Sequence, residues 1–154
     1  MHSRNVPDRL AKGGARRLSS GLRAKTPLLL LVDDDVDERK LFAGYLRYAG
    51  FHVEVARDGT EALEKVLAFV PTLILMDMEM PVMDGWEATK RLKSDPRTSA
   101  IPIVALSAQV EAADARALPF GCDAVIAKPC APEQLVTLVL RTLSETRKVS
   151  AQGS

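Results

Sequence analysis

Asp33 and Asp34, Asp77, Ser107 and Lys128 each follow directly on a short apolar run, at residues 28–32, 73–76, 103–106 and 125–127. If the four runs are parallel strands, all these polar groups stand along one edge of one sheet, where open α/β sheets place their ligands. Three carboxylates gathered there resist joint ionisation unless a cation joins them. Oxygen-only ligands favour a hard divalent ion, and Mg²⁺ suits two carboxylates, several waters and a phosphate oxygen. An aspartate can be a covalent nucleophile. The Lys128 ammonium and the Ser107 hydroxyl would each serve a phosphoryl oxygen. The set reads as a metal-assisted site for phosphoryl transfer to an aspartate.

Taken singly, each residue has a plainer reading. Asp33, Asp34 and Asp35 after a strand make a turn and a helix N-cap. Ser107 alone reads as a turn or cap residue, and Lys128 before Pro129 as a surface lysine. Asp77 is odder, because it lies between Met76 and Met78 and an acid among apolar residues carries a desolvation cost. The conjunction decides: four sites at one register in four strands do not reduce to four separate caps.

The elements that must position them alternate cleanly. Strand one is Leu28–Val32. The helix after it carries Leu41, Phe42, Tyr45, Leu46 and Ala49 as one stripe, with Gly50 where a C-cap belongs. Strand two, His52–Ala56, alternates, so one face meets water. The turn Asp58-Gly59 leads to a helix with Ala62, Leu63, Val66, Leu67 and Val70, stopped by Pro71. Strand three (73–76) and strand four (101–106) are continuously apolar. A helix to about Lys93 lies between them, and an Ala-rich helix from about 109 to 118 follows. Strand five is Ala124–Ala127. The last helix starts near Pro132, a good first-turn residue, and buries Leu135, Val136, Val139, Leu140 and Leu143. Apolar strands flanked by helices predict a (βα)5, doubly wound, five-stranded parallel sheet. The order 2-1-3-4-5, taken from known doubly wound folds, puts the alternating second strand at an edge and strands one and three together at the switch point.

The chain has 154 residues, 47% of them apolar, enough for one domain with a real core. A net charge of +1 gives no whole-chain argument for nucleic-acid binding. Residues 1–26, however, carry seven Arg or Lys against one acid, hence +6, which leaves −5 for the rest. This aperiodic segment reads as a disordered basic arm, residues 27–147 as the folded domain and 148–154 as a polar tail. Salt-sensitive binding to nucleic acid, an acidic partner or anionic lipid is the arm's bolder reading. Cys122 and Cys130 are not a C-x-x-C pair and read as reduced thiols. No apolar run reaches membrane-spanning length, and the chain reads as cytoplasmic.

The motifs resemble the receiver domain of two-component response regulators: Leu-Val-Asp-Asp at 31–34, Leu-Met-Asp-Met-Glu-Met-Pro-Val-Met-Asp-Gly at 75–85, Leu-Ser-Ala at 106–108 and Ala-Lys-Pro at 127–129. The likeness covers about residues 27–147. It implies a flavodoxin-like fold, with Asp77 as phosphoacceptor from a histidine kinase or histidine phosphotransfer protein. It also implies Mg²⁺ held directly by Asp34 and Asp77, through a water by Asp33, and by the backbone carbonyl of Glu79. Ser107 corresponds to the family's switch hydroxyl and Lys128 to its lysine, with Lys128-Pro129 a cis candidate. Glu79 and Gln109 flank the site and are implied to tune hydrolysis. Val125 stands where the family usually has Tyr or Phe, and Cys130 where Phe is common, so a swinging ring cannot operate at 125. No output or DNA-binding domain is expected after the motifs. The resemblance therefore implies a single-domain regulator that is not an enzyme beyond its own phosphorylation and dephosphorylation. It would act on an unidentified downstream protein, with a homodimer possible.

Two other readings compete. A haloacid-dehalogenase-type phosphatase would use Asp33 and Asp35, a later Ser and a Lys, but needs a late acidic metal motif that does not follow Lys128. A receiver-like scaffold that is never phosphorylated would suit Val125 but not the intact acidic set.

Overall fold

The computed structural model describes residues 26–109 and 120–153. Five parallel strands stand in the order β2-β1-β3-β4-β5: β1 (Leu28–Val32), β2 (His52–Ala56), β3 (Leu73–Asp77), β4 (Ile103–Ser107) and β5 (Ala124–Ala127). Four helices are described: α1 (Val36–Tyr48), α2 (Gly59–Phe69), α3 (Gly85–Ser94) and α4 (Pro132–Gly153). This is the flavodoxin-like arrangement expected. The helix expected at about 109–118 falls outside the described residues, as does the basic arm apart from Thr26.

Alternation along the strands builds two cores from one sheet. Leu30, Val32, Ile74, Met76, Ile103 and Ala105 face α2 and α3, meeting Val66, Trp86 and Leu92. Leu29, Leu31, Leu73, Leu75, Val104 and Leu106 face α1 and α4, meeting Phe42, Leu46, Leu135 and Val139. Burial on both faces explains why β1, β3 and β4 are apolar throughout. The edge strand β2 is wetter, with His52 exposed.

The helices are set by their ends. Asp35, Asp58 and Asp84 cap α1, α2 and α3, each accepting from the backbone N–H three residues on, Glu38, Glu61 and Glu87. Gly50, at φ 110°, turns the chain out of α1. At the end of α2 that position falls to Val70, at φ 49°, ahead of Pro71. The buried stripes are narrower than those expected. Leu41 and Tyr45 of α1, Leu67 beyond Val66, Val70, and Leu140 of α4 are exposed. The buried faces centre on the expected Phe42 and Leu46, Ala62 and Val66, and Leu135 and Val139, with Thr142 added. Each helix presents only a narrow face to the sheet, and its flanking apolar residues stay in solvent. The last helix continues through the polar residues after 147.

The β2 edge is closed by side chains. Val53 and Val55 turn their carbonyls away from β1, since His52 and Ala56 make the inward bonds, to Pro27 O and from Asp33 N. Arg47 of α1 donates to Val53 O at 2.8 Å and Lys65 of α2 to Val55 O at 2.5 Å. Charged side chains on outward carbonyls blunt an edge that would otherwise template pairing with another chain.

Candidate functional site

The register places the polar residues. Val32 pairs with Met76, so Asp33 stands level with Asp77 at the ends of β1 and β3. Asp77 pairs with Leu106 and Leu106 with Ile126, so Ser107 stands one residue beyond that level on β4 and Lys128 two beyond it after β5, a stagger rather than the single register expected. The helix that follows the Asp77 loop fits only because residue 85 is glycine. A Cβ there would strike the Asp77 carbonyl oxygen and lie 2.7 Å from Met78 Cα. Gly85 N donates to Met78 O at 3.1 Å, which seats the start of α3 under the site.

The three consecutive aspartates divide their work. Asp33 is fully buried, with Oδ1 accepting from Asp35 N at 2.9 Å. Asp34 is exposed, and its carboxyl is near enough to Asp77 to add to the rise in that group's pKa. Asp35 is the α1 cap, which removes it from the acidic cluster and with it the Asp33/Asp35 geometry of the phosphatase reading. Asp77 is 2% exposed; its Oδ1 accepts from Glu79 N at 3.1 Å and its Oδ2 from Lys128 Nζ at 3.2 Å.

Glu38, a residue that the sequence reading did not single out, is a fourth acid of the site. Its Oε1 lies 2.7 Å from Lys128 Nζ, closer than Asp77 does. Asp35-x-x-Glu38 has the look of a capping box, in which Glu38 would reach back to Asp35 N. That N–H is already taken by Asp33, so the Glu38 carboxylate is free to enter the site.

Burial lifts Asp33 to about 8, helped by its hydrogen bond with Glu38 and opposed by Asp35 N–H and Lys128. Burial also lifts Asp77 to about 6; the Lys128 charge and hydrogen bond and the Glu79 N–H oppose, and Asp34 adds to the rise. Burial works against the Glu38 charge too, but its bonds to Asp33 and Lys128 prevail and hold its pKa low. Lys128 loses hydration, but its hydrogen bond with Glu38 and the charges of Asp77 and Asp33 raise it above the ordinary lysine range.

These residues fit a hard divalent cation. Carboxylate oxygens of Asp33, Glu38 and Asp77 lie within 4.8 Å of one another. Asp33 Oδ2 is buried and has no hydrogen-bond donor among the described residues. Ionised, it is satisfied only by a cation or by a proton shared with a neighbouring acid.

Ser107 and Glu79 form a separate pair. Ser107 Oγ donates to Glu79 Oε2 at 2.7 Å, and Ala108 N donates to Glu79 Oε1 at 2.8 Å. The sequence reading gave the Glu79 carbonyl to the ion and set Glu79 beside the site as a residue that tunes hydrolysis; the contact its side chain makes across to β4 was not foreseen. An open groove of about 450 Å³ adjoins it, lined by Met78, Glu79, Met80, Trp86 and Gln109 among others. Lys128-Pro129 is cis, as expected. Val125 is half-buried and packs on the core face that contains Trp86.

Residues 29–140 match the response regulator receiver domain. The chain belongs to that family. It is 34% identical over 128 residues to response regulator Rre1 of Synechocystis, covering 82% of this chain and 55% of that protein. It is 38% identical over 112 residues to the DNA-binding response regulator MtrA of Mycobacterium tuberculosis, covering 72% and 48%. The chain thus spans about half the length of these curated relatives. Among solved structures it superposes on a response regulator of Chloroflexus aurantiacus with TM-score 0.73 at 34% identity, covering 78% of this chain and 99% of that one. The chemotaxis response regulator CheY4 of Vibrio cholerae gives TM-score 0.73 at 30% identity, covering 77% and 99%. The receiver fold is that of two-component signalling, and among the described residues no helix is long and apolar enough to cross a membrane.

Proposed function

We propose that this receiver domain accepts a phosphoryl group on Asp77, from a histidine kinase or a histidine phosphotransfer protein, with Mg²⁺ held by the acidic cluster. Asp77 Oδ attacks phosphorus, the donor's P–N bond breaks, and the imidazole leaves with the electron pair and takes a proton from water. Family membership and the four-acid cluster around one lysine support this reading. The observation that carries it is Asp77 itself: a carboxylate buried at a strand end and paired with Lys128.

Each residue has a task in that transfer. Asp33, Asp34, Asp77 and the Glu79 carbonyl would hold the ion, with Glu38 beside them; the ion would neutralise charge as phosphate approaches. Lys128 Nζ, already 3.2 Å from Asp77 Oδ2, is positioned for a phosphoryl oxygen. The Ser107 hydroxyl would serve another. The product is an acyl phosphate that signals by changing what the domain binds, or passes its phosphate on. With Val125 in place of a ring, that change does not run through an aromatic at 125.

The experiment is incubation with Mg²⁺ and acetyl phosphate followed by intact mass. One phosphoryl adduct on the native chain and none on Asp77→Asn supports the reading. Folded, Mg²⁺-binding protein that takes no adduct favours the phosphorylation-independent scaffold.

A further inference from the structure

The Glu79 side chain occupies the two donors that the end of β4 offers to the site. A hydroxyl has one proton to donate. Ser107 commits it to Glu79 Oε2 at 2.7 Å, while the Ser107 oxygen accepts from Gln109 N at 3.1 Å. The adjacent Ala108 N–H is committed to the other oxygen of the same carboxylate, at 2.8 Å. Two donors converging on the two oxygens of one anionic group form an anion-binding pair, and this pair is already filled from within the chain. The backbone of Glu79 is tied to the same place, since its N–H donates to Asp77 Oδ1 at 3.1 Å. Glu79 therefore spans from the Asp77 carboxylate to the donors of β4.

We infer that the Glu79 carboxylate is a built-in competitor of the phosphoryl group: it holds the Ser107 hydroxyl and the Ala108 N–H in the resting domain, and phosphorylation must displace it. This rests on Asp77 being the phosphoacceptor. Three consequences follow from the geometry. The resting domain keeps Ser107 bonded toward Glu79 with no phosphate present. A phosphoryl oxygen gains those donors only as Glu79 swings out, and the neighbouring groove lined by Met80, Trp86 and Gln109 gives the side chain somewhere to go. Residue 79 thereby sets how readily small donors phosphorylate the domain. Freeing both donors while losing one like charge should change the rate by about tenfold.

The test compares wild type, Glu79→Ala, Ser107→Ala and the double variant. Adduct formation with acetyl phosphate at saturating Mg²⁺ is followed by intact mass, and Ala108 amide exchange is read in the phosphate-free proteins. The expected result is adduct formation about tenfold faster in Glu79→Ala, faster exchange at Ala108, and a Glu79→Ala effect that shrinks when Ser107 is already Ala. Coupling of that kind marks residues that share a contact. An effect of the same size in both backgrounds would mean simple charge repulsion and overturn the inference. So would an unchanged or slower rate, or Ala108 exchange that ignores residue 79. Adduct in wild type and Glu79→Ala at the same rate sinks only the competitor; no adduct in either sinks the phosphoacceptor reading and the competitor with it.

Discussion

Asp33 is the residue on which the metal account turns. Its Oδ2 is buried with no hydrogen-bond donor among the described residues, and burial is the chief reason its pKa is lifted to about 8. Without metal, then, Asp33→Asn should stabilise the protein near neutral pH, by about 2 kcal/mol, because the native carboxyl must take up a proton to stay buried, whereas the amide is already neutral and keeps the acceptor for Asp35 N. With metal the order should reverse: Mg²⁺ should raise the urea midpoint of the native protein and leave that of Asp33→Asn nearly unmoved. A variant no more stable than wild type without metal would contradict this account of Asp33. Asp33, Asp77, Ser107 and Lys128 were legible in the sequence because a polar residue directly after an apolar strand has only the sheet edge to occupy. Glu38 was not. It sits in the first turn of a helix, where a capping role explains it equally well, and only the prior claim of Asp33 on Asp35 N frees it. The Glu79 side chain was hidden for a different reason: its partners, Ser107 and Ala108, lie 28 and 29 residues away.

At the scale of elements, the close seat of α3 under β3 is the sharpest constraint. Gly85→Ala should cost about 3 kcal/mol, since a new Cβ meets backbone rather than a movable side chain, and it should also slow modification of Asp77 by shifting its carbonyl. Chemical denaturation and intact mass on the same variant would check both; a variant of native stability would mean that α3 can slide away. The N-cap Asp58 should matter less, with Asp58→Ala costing about 1 kcal/mol in the same assay. The strand positions followed from apolar runs of the right length. The helix faces came out narrower than expected, because a stripe such as Leu41, Phe42, Tyr45 and Leu46 is wider than the face that the sheet can cover. Which member stays in solvent depends on how the helix is rolled against the sheet, and periodicity does not carry that.

For the whole molecule, the order β2-β1-β3-β4-β5 is compatible with the sequence but not dictated by it. The alternation in β2 gave an edge, while the Arg47 and Lys65 bonds that close this edge depend on two helices arriving on opposite faces. Replacing both by Ala should leave the fold intact and increase self-association, measured by light scattering over a concentration series. The acidic cluster also sets the pH response. Asp33 and Asp77 have folded pKa values of about 8 and about 6, above their ordinary 3.8, so the folded protein binds more protons than the unfolded chain. The contribution of these two carboxyls to the stability of the metal-free protein should therefore be greatest below about pH 4 and decline as pH rises from there, through about 6 for Asp77 and about 8 for Asp33. Mg²⁺ should oppose that decline. A metal-free melting temperature that rises between pH 5 and 8, with no response to Mg²⁺, would contradict the assignment of these carboxylates to one cation site.

The central claim, that Asp77 carries the phosphoryl group, is tested most directly by locating it. The protein would be phosphorylated with Mg²⁺ and acetyl phosphate, reduced with borohydride, which converts an aspartyl phosphate to homoserine, then digested and mapped by mass. Homoserine at position 77 and at no other aspartate is the predicted result. Homoserine at Asp33 or Asp34 instead, or an unmodified Asp77 in protein that binds Mg²⁺, would contradict it.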